Sequence, residues 1–355
     1  MLSQANQNQN ASDPRPVTRG STCNATLDWV RMTGPESVQT ALLNWAEKLQ
    51  ADQETGETDG FEDNRGLWGY ASGRYWGSGK GGMKVLWGNP GSTCTIEFPG
   101  GELSRWALDE QIELVDQLHT LGMTSTNRID LALDYTSGDD EGVQTFLDEA
   151  IAACKAGALV SPRSFLPIEP YTNKLERKGL TLYLGSVKSE LMVRIYDKGQ
   201  ETGEKDAGRW IRLEAQFKDS KADAVTQELL RTTADNSAQA VMGLALGAVE
   251  FDNAGCSDAL RATGSETEQS DHTAWLRAIA EGVELIKVRT VRARSTFEGW
   301  RDNFIRTNGR RIREMAYLAG ISPDQVVAQL VADLKPSKPT RMDDVLRESS
   351  VHLTT

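Results

Sequence analysis

The chain has 355 residues and a mass of 39.0 kDa, enough for two or three domains. Its 51 acidic and 39 basic residues give a formal net charge of −12, which argues against a basic nucleic-acid coat protein and against binding to an anionic membrane. Four cysteines without a CxxC pair and three isolated histidines argue against zinc sites and histidine-based catalysis. The sequence has no run of 18 apolar residues and no apolar N-terminal signal, so we expect a cytoplasmic protein.

The first half of the chain predicts strands and helices in a simple order. Residues 1–25 are rich in Gln, Asn, Ser and Pro, so we expect a disordered tail. Residues 26–32 begin with alternating apolar and polar side chains and predict a strand, and Pro35 marks the start of a helix. Glycine-rich turns separate three short predicted strands near 67–76, 83–88 and 94–98. An apolar face then predicts a helix over about 103–121.

The same order of elements recurs in the second half. A strand is predicted over 128–135 and a helix over about 141–157. Three more strands are predicted near 181–185, 191–197 and 209–218. A helix over about 219–232 follows. Because no residue-level repeat accompanies this order, a duplicated α+β unit is a hypothesis that rests on element order alone.

Three strands of the second half carry an unusual polar face. Alternate side chains of a strand point to opposite sides of its sheet, so the apolar and polar residues of these strands separate onto two faces. The polar faces include Arg128, Asp130, Asp134, Arg194, Tyr196, Lys198, Arg212 and Glu214. One interpretation is a solvent-facing sheet with cross-strand ion pairs. The other is a site in which carboxylates hold a hard cation, arginines bind phosphate, and a tyrosine forms a covalent intermediate.

These segments resemble the replication initiation factor family, which includes the initiators of staphylococcal-type rolling-circle plasmids and of filamentous phages. The resemblance covers roughly residues 26–233. The segments that carry it are RIDLALDYT (128–136), GLTLYLGSVKSELMVRIYDKG (179–199) and RWIRLEAQFKD (209–219). LDWVRMT (27–33) resembles the opening strand of the family. IEFPGG (96–101) resembles its turn before a helix, although Phe-Pro departs from the usual Ser-Gly.

The resemblance implies a site-specific DNA nickase and strand transferase. In such an enzyme a tyrosine attacks a phosphodiester at the origin, stays bound to the 5′-phosphate, and frees a 3′-OH that primes synthesis. Tyr196 in the RIYDK segment matches the family's nucleophile best, and Tyr135 is the second candidate. Tyr183 is less favoured because it lies in a more apolar run.

The resemblance also implies a divalent cation, Mg²⁺ or Mn²⁺, and a set of phosphate-binding residues. Asp130 and Glu214 are the implied metal ligands, with Asp134 as a third candidate. The implied phosphate-binding residues are Arg194, Lys198 and Arg212.

The C-terminal third contains a strongly basic segment. Between residues 287 and 313, nine basic residues face two acidic ones, so this segment carries +7 in a chain of net charge −12. We predict that these bases bind DNA, although a basic solvated helix face is the alternative. They are Lys287, Arg289, Arg292, Arg294, Arg301, Arg306, Arg310, Arg311 and Arg313.

A helix-turn-helix is suggested directly after this segment by the spacing of Ala316, Gly320 and Val326, with Ser322-Pro323 at the start of the second helix. That helix has few bases, so a plain helical hairpin fits equally well.

Together these patterns predict an α+β protein. It would have an antiparallel-sheet nickase core, built of two similar β-α-β-β-β-α units, and an all-helical C-terminal module. The predicted boundaries are 1–25 for the tail, 26–125 and 126–251 for the two α+β subdomains, 273–334 for the helical DNA-binding module and 335–355 for a second tail.

Origin DNA is the predicted partner, in a bacterial cytoplasm and without a membrane. A host helicase and a homodimer are left open. The alternatives in function are a non-catalytic, sequence-specific DNA-binding regulator with the same fold, and a carbohydrate-binding or other sheet protein whose polar face only holds ion pairs.

Overall fold

The computed structural model of the chain describes residues 22–51, 61–63, 66–77, 82–136, 142–170, 173, 179–203, 210–251, 283–288, 308–309 and 311–333. They belong to two compact units, Met1–Thr290 and Val291–Thr355. Residues 1–21 of the predicted N-terminal tail, residues 252–272 and the predicted C-terminal tail lie outside the described residues, whereas residues 22–25 belong to the first strand.

The first unit is built on one antiparallel sheet of ten strands. The N-terminal half of this unit contributes β1 (Thr22–Pro35), β2 (Phe61–Asp63), β3 (Ser72–Tyr75), β4 (Lys84–Trp87) and β5 (Thr93–Pro99). The C-terminal half contributes β6 (Ser125–Thr136), β8 (Phe165–Ile168), β9 (Thr181–Gly185), β10 (Leu191–Asp197) and β11 (Trp210–Lys218). A small second sheet pairs β7 (Leu159–Ser161) with β12 (Glu250–Phe251).

The strand order is mirrored about the centre of the sheet. It reads β2-β3-β4-β5-β1-β6-β11-β10-β9-β8, so each half places its first strand at the centre and its last strand beside it. The two halves meet where β1 pairs with β6 along most of its length. The mixed fold with a large antiparallel sheet confirms the predicted fold class. The duplicated unit and the domain boundaries stay predictions.

Helices cover one face of this sheet and bury its apolar side chains. The helices of the unit are α1 (Gln39–Ala51), α2 (Gly100–Leu103), α3 (Leu108–Thr120), α4 (Gly142–Lys155), α5 (Lys198–Thr202), α6 (Asp219–Leu229) and α7 (Ser237–Gly247). Helices α3, α6 and α7 contact the central strands, and α4 contacts β10. The apolar faces predicted for β6, β10 and β11 point into this core, where Ile129, Ile195 and Leu213 are almost fully buried. The polar faces of these strands therefore lie on the opposite side.

The helix predicted over 103–121 is interrupted in the structure. Helix α2 ends at Leu103, and α3 begins after Ala107, whose backbone is extended (φ −65°, ψ 160°). The N–H groups at the start of a helix have no carbonyl acceptor within the helix. At the start of α3 the side chain of Glu110 supplies one, because its Oε2 accepts from the Ala107 N–H at 2.8 Å. Gln111 Nε2 donates to Leu103 O at 2.9 Å and so ties the two helices together. A continuous apolar stripe does not reveal such a break, because the stripe persists across it.

The backbone of residues 283–288 contacts α7. The Ile286 N–H donates to Gly243 O at 2.9 Å. A Cβ on Gly247 would lie 2.2 Å from Ile286 O, so the two backbones approach more closely than any side chain would allow. The segment contains the first predicted DNA-binding residue, Lys287, whose Nζ lies 2.9 Å from Glu250 Oε1.

In the second unit the backbone forms two helices joined by a turn. Residues 311–319 are helical, Gly320 is left-handed (φ +64°), and α8 (Pro323–Asp333) follows. Ser322 caps α8: its N–H donates to Gln325 Oε1 at 2.9 Å, and its Oγ accepts from the Gln325 N–H at 3.3 Å. This geometry is common to a DNA-reading module and to a plain hairpin, so both alternatives stay open.

Arg311 and Arg313 lie in the first of these helices, whereas the predicted DNA-binding residues Arg289, Arg292, Arg294, Arg301, Arg306 and Arg310 lie outside the described residues. Within the described ranges, no helix is long and apolar enough to cross a membrane.

Candidate active site

The polar residues predicted from three separate strands are neighbours across the sheet. Glu214 on β11 lies opposite Arg194 on β10, and Arg212 lies opposite Tyr196. On the other side of β11, Arg212 lies opposite Asp134 of β6. Because side chains directly opposite each other share a face, the register of β6, β11 and β10 brings the predicted nucleophile, arginines and carboxylates together.

Glu214 lies at the centre of this cluster. It is almost fully buried, forms an ion pair with Arg194, and accepts a hydrogen bond from Tyr196 Oη at 3.4 Å. Burial raises the pKa of Glu214 to about 7, and the negative charges of Asp28 and Asp130 act in the same direction against the opposing effect of Arg194. Glu214 can therefore gain or lose a proton near neutral pH.

Tyr196 is buried beside Glu214, and its environment disfavours the phenolate. Burial raises the pKa of Tyr196 above its usual value, the charge of Glu214 raises it further, and Arg212 opposes both effects. Lys198 is the first residue of α5, and its Nζ lies 5.7 Å from the centre of the Tyr196 ring. That ammonium also forms a 2.5 Å ion pair with Glu201.

Arg212 joins two carboxylates on neighbouring strands. Its Nε and Nη2 donate to the two oxygens of Asp134 at 2.8 and 2.7 Å, and its Nη1 donates to Asp28 Oδ1 at 2.6 Å. Trp210 Nε1 also donates to Asp134, at 2.8 Å. The guanidinium plane is thus held beside Tyr196 by a forked pair and a second carboxylate.

Asp28 is a member of the cluster to which the sequence assigned no role. The pairing of β1 with β6 shifts by one residue between Leu27 and Trp29, and Asp28 lies at this bulge. Burial raises the pKa of Asp28, and Asp130 adds to the effect while Arg212 opposes it. Counted back from the core residues Val30 and Met32, strict alternation along β1 places Asp28 on the core face, and the bulge moves it to the polar face.

The other two tyrosine candidates lie on opposite faces of the sheet. Tyr135 stacks on Phe146 of α4, with ring centres 6.0 Å apart, and therefore lies on the helix-covered face, away from the carboxylates. Tyr183 on β9 lies directly opposite Arg194 and shares the polar face with Tyr196. Tyr183 alternates with the buried Leu182 and Leu184, which agrees with this face, and the pairing of β9 with β10 sets it opposite Arg194.

The predicted metal ligands are each bound to a basic side chain. Asp130 is fully buried and accepts from Arg128 Nε and Nη2 at 2.9 and 2.5 Å. Asp134 accepts from Arg212 in the same forked way, and Glu214 forms an ion pair with Nη2 of Arg194. Among the described residues, no group of three or more His, Cys, Asp or Glu side chains is arranged to hold a metal ion. The carboxylates in this arrangement therefore do not fit a preformed metal centre.

Comparisons with known proteins place these observations in context. The model of a family described as replication initiation factor matches residues 124–330, more than half of the chain and the part that contains β6, β10 and β11. A solved structure, the rolling circle replication initiator protein from Geobacillus stearothermophilus, is similar in fold, with a TM-score of 0.51 and 18% sequence identity. The similarity covers 76% of this chain and 100% of that chain. No curated protein matches the chain.

Proposed function

Because this chain belongs to the replication initiation factor family, we propose that it starts rolling-circle replication by nicking origin DNA, with Tyr196 as the nucleophile. A role in replication initiation follows from membership of the family. The observation that supports the nicking chemistry is the contact between Tyr196 Oη and Glu214 Oε2 at 3.4 Å, with Arg194 and Arg212 on the same face.

Glu214 is the base that this proposal requires. A phenol is a weak nucleophile at neutral pH, and burial beside Glu214 raises the pKa of Tyr196 further, so the phenolate does not form in advance. The proton must therefore leave as the attack proceeds. A carboxylate with a pKa of about 7, already accepting a hydrogen bond from the phenol, is suited to take it.

The proposed step has a simple balance of bonds. Tyr196 Oη bonds to the phosphorus while Glu214 takes the phenolic proton, and the bond from phosphorus to the 3′ oxygen breaks. The 5′-phosphate remains on Tyr196, and the 3′ oxygen leaves with the bonding electron pair and takes a proton from water to become the 3′-hydroxyl. Arg194 and Arg212 stabilise the negative charge that develops on the phosphate oxygens. The phosphotyrosine keeps the bond energy, so the strand can be rejoined after one round.

A trapped covalent adduct tests the nucleophile. We expect the wild-type protein to form an adduct with a single-stranded or supercoiled origin, and Tyr196→Phe to form none, because it lacks the attacking oxygen. Tyr183→Phe is the matched control, since Tyr183 shares the face and lies opposite Arg194. Mass spectrometry of the adduct should find the phosphate on Tyr196, and an adduct formed by Tyr196→Phe would contradict the assignment.

The same experiment distinguishes the nickase from the main alternative, a non-catalytic DNA-binding regulator. A non-catalytic DNA-binding regulator with this fold would bind origin DNA but would neither nick it nor form an adduct. Absence of both products from the wild-type protein, across candidate origins and with Mg²⁺ or Mn²⁺ present, would favour that alternative.

A requirement for Mg²⁺ or Mn²⁺ stays a prediction, with Asp130, Asp134 and Glu214 as its candidate ligands. No step is assigned to the ion, because each of these carboxylates is bound to an arginine. Nicking after EDTA treatment, followed by readdition of each cation, measures the requirement. We expect the loss of nicking and its recovery, and full activity in EDTA would remove the metal from the proposal. A host helicase and a homodimer also stay predictions.

A further inference from the structure

A second polar cluster lies on the same face of the sheet, on its N-terminal side. It consists of two tryptophans, each stacked under an arginine. The centre of the Arg31 guanidinium lies 3.8 Å from the centre of the Trp68 ring, and that of Arg128 lies 4.3 Å from the Trp29 ring. We call these four residues the Trp–Arg platform.

The two arginines of the platform lie directly opposite each other on β1 and β6. Like charges at opposed positions destabilise a sheet. Each is held by a buried carboxylate: Arg31 Nε donates to Glu97 Oε2 at 2.7 Å, and Arg128 is paired with Asp130. Lys84 also pairs with Glu97, at 2.5 Å, so this group of side chains has one more cation than carboxylates. The opposed position of the two cations does not stabilise the sheet. An anionic ligand, in contrast, could interact with both guanidiniums at once.

Trp68 occupies a backbone conformation that favours small residues. It has φ +54° and is followed by Gly69 with φ +89°, and the Tyr70 N–H donates to Leu67 O at 3.0 Å. These are the features of a type I′ turn, in which Asn, Asp and Gly are preferred at the position of Trp68. A bulky residue there is strained, yet the indole is 52% exposed and so recovers little by burial. Neither the turn nor the core explains this tryptophan.

The platform is continuous with the candidate active site. Asp130, which holds Arg128, also accepts from Gln216 Nε2 at 3.2 Å on β11, the strand that carries Glu214 and Arg212. The register, strand spacing and rise place Arg31 about 25 Å from Tyr196 across the same face.

We propose that the Trp–Arg platform binds the single-stranded DNA that flanks the phosphodiester attacked by Tyr196. Guanidiniums bind phosphates, and an exposed indole offers a stacking surface to any base. The bases of a duplex are stacked on one another and are not available to a tryptophan, which favours a single strand over a duplex. This inference rests on the proposed function, because the platform would position the strand that the tyrosine cuts.

The length dependence of oligonucleotide binding tests the platform. Affinity is measured in a Tyr196→Phe background, where no cleavage occurs, for oligonucleotides that carry the nick site with short or long single-stranded flanks on either side. We expect a long flank to strengthen binding, and Trp68→Asn to remove this gain and weaken binding about tenfold. Asn tolerates the left-handed conformation, so the melting temperature should stay equal or rise. Trp68→Gly is a second variant compatible with the turn, and Trp68→Phe should retain most of the gain because it can still stack.

Phe165→Ala is the matched control, because Phe165 is an exposed aromatic on the other face of the sheet, opposite the core residue Leu184. It should bind as the parent does. The proposal is overturned if folded Trp68→Asn and Trp68→Gly keep the gain, if duplex flanks give the same gain, or if an acidic peptide such as polyglutamate competes as well as DNA. Failure of the adduct experiment would remove the nicking chemistry and leave these binding results unaffected.

Discussion

At Glu214 a carboxylate, a guanidinium and a phenol meet in one buried cluster. The ion pair with Arg194 favours the charged carboxylate, whereas burial and the neighbouring Asp28 and Asp130 favour the protonated form. The balance leaves Glu214 with a pKa of about 7, far above that of an exposed glutamate. In the proposed mechanism the base must be unprotonated, so this balance would set the pH range in which nicking occurs.

The rate of adduct formation should rise with pH through about 7, as Glu214 loses its proton. Glu214→Gln cannot accept the proton, so we expect its rate to fall by roughly 100-fold or more and to lose this pH dependence. Single-turnover rates between pH 5 and 9 measure both effects. A Glu214→Gln variant with the same rising profile would show that another group is the base.

The same pKa shift affects stability with the opposite sign. Between the ordinary pKa of glutamate and about 7, the folded protein holds a proton on Glu214 that the unfolded chain has released. The contribution of this carboxyl to stability is therefore present at low pH and is lost as pH rises through about 7. Denaturant titrations of wild type and Glu214→Gln should show that this part of the pH dependence is absent in the variant.

At the scale of elements, close backbone contacts hold the segment 283–288 against α7. Gly243 and Gly247 lie one helical turn apart, and a Cβ on either would lie within 2.3 Å of a carbonyl oxygen of the segment. The segment leads from the helix-covered side of the sheet into the basic segment that begins at Lys287. The glycines thus allow a backbone contact that fixes where the basic segment starts.

Gly247→Ala should destabilise the protein by roughly 1–3 kcal/mol, because the backbone of Ile286 must move to admit the methyl group. This loss exceeds the gain in helix propensity that alanine brings. Gly101→Ala is the control, since no atom lies within 4 Å of its Cβ position in α2. Urea denaturation measures both, and equal stabilities of the two variants would contradict the close contact.

At the scale of the whole molecule, the net charge of −12 conceals an uneven distribution. The acidic excess lies outside residues 287–313, and several of its carboxylates hold the arginines of the polar face. We expect DNA binding to depend on the basic segment, with the acidic remainder limiting non-specific association.

Arg311→Gln combined with Arg313→Gln should weaken origin binding and reduce the slope of log affinity against log salt by about one unit per arginine. Lys155→Gln is the control, since this exposed lysine lies at the end of α4, on the helix-covered side. Affinity measured over a series of salt concentrations gives the slope. An unchanged slope in the double variant would indicate that this basic helix is only a solvated face.

The sequence by itself determined the elements whose signals are local. Alternation along β6, β10 and β11 separated polar from apolar faces, and the motifs on these strands identified the family and the candidate residues Tyr196, Glu214 and Arg212. These signals can be read from the sequence because the two-residue alternation of side chains is a property of each strand and does not depend on which strands it pairs with.

Only the tertiary structure decided which of these residues meet. Register placed Tyr183 directly opposite Arg194 and Tyr196 opposite Arg212, and a bulge added Asp28 to the cluster. Pairing across strands bound Glu214 to Arg194 and Asp134 to Arg212, and the tertiary fold set the turn residue Trp68 beside Arg31. Register and bulges depend on contacts between residues far apart in the chain, and a shift of one residue reverses every face, so no local pattern predicts them.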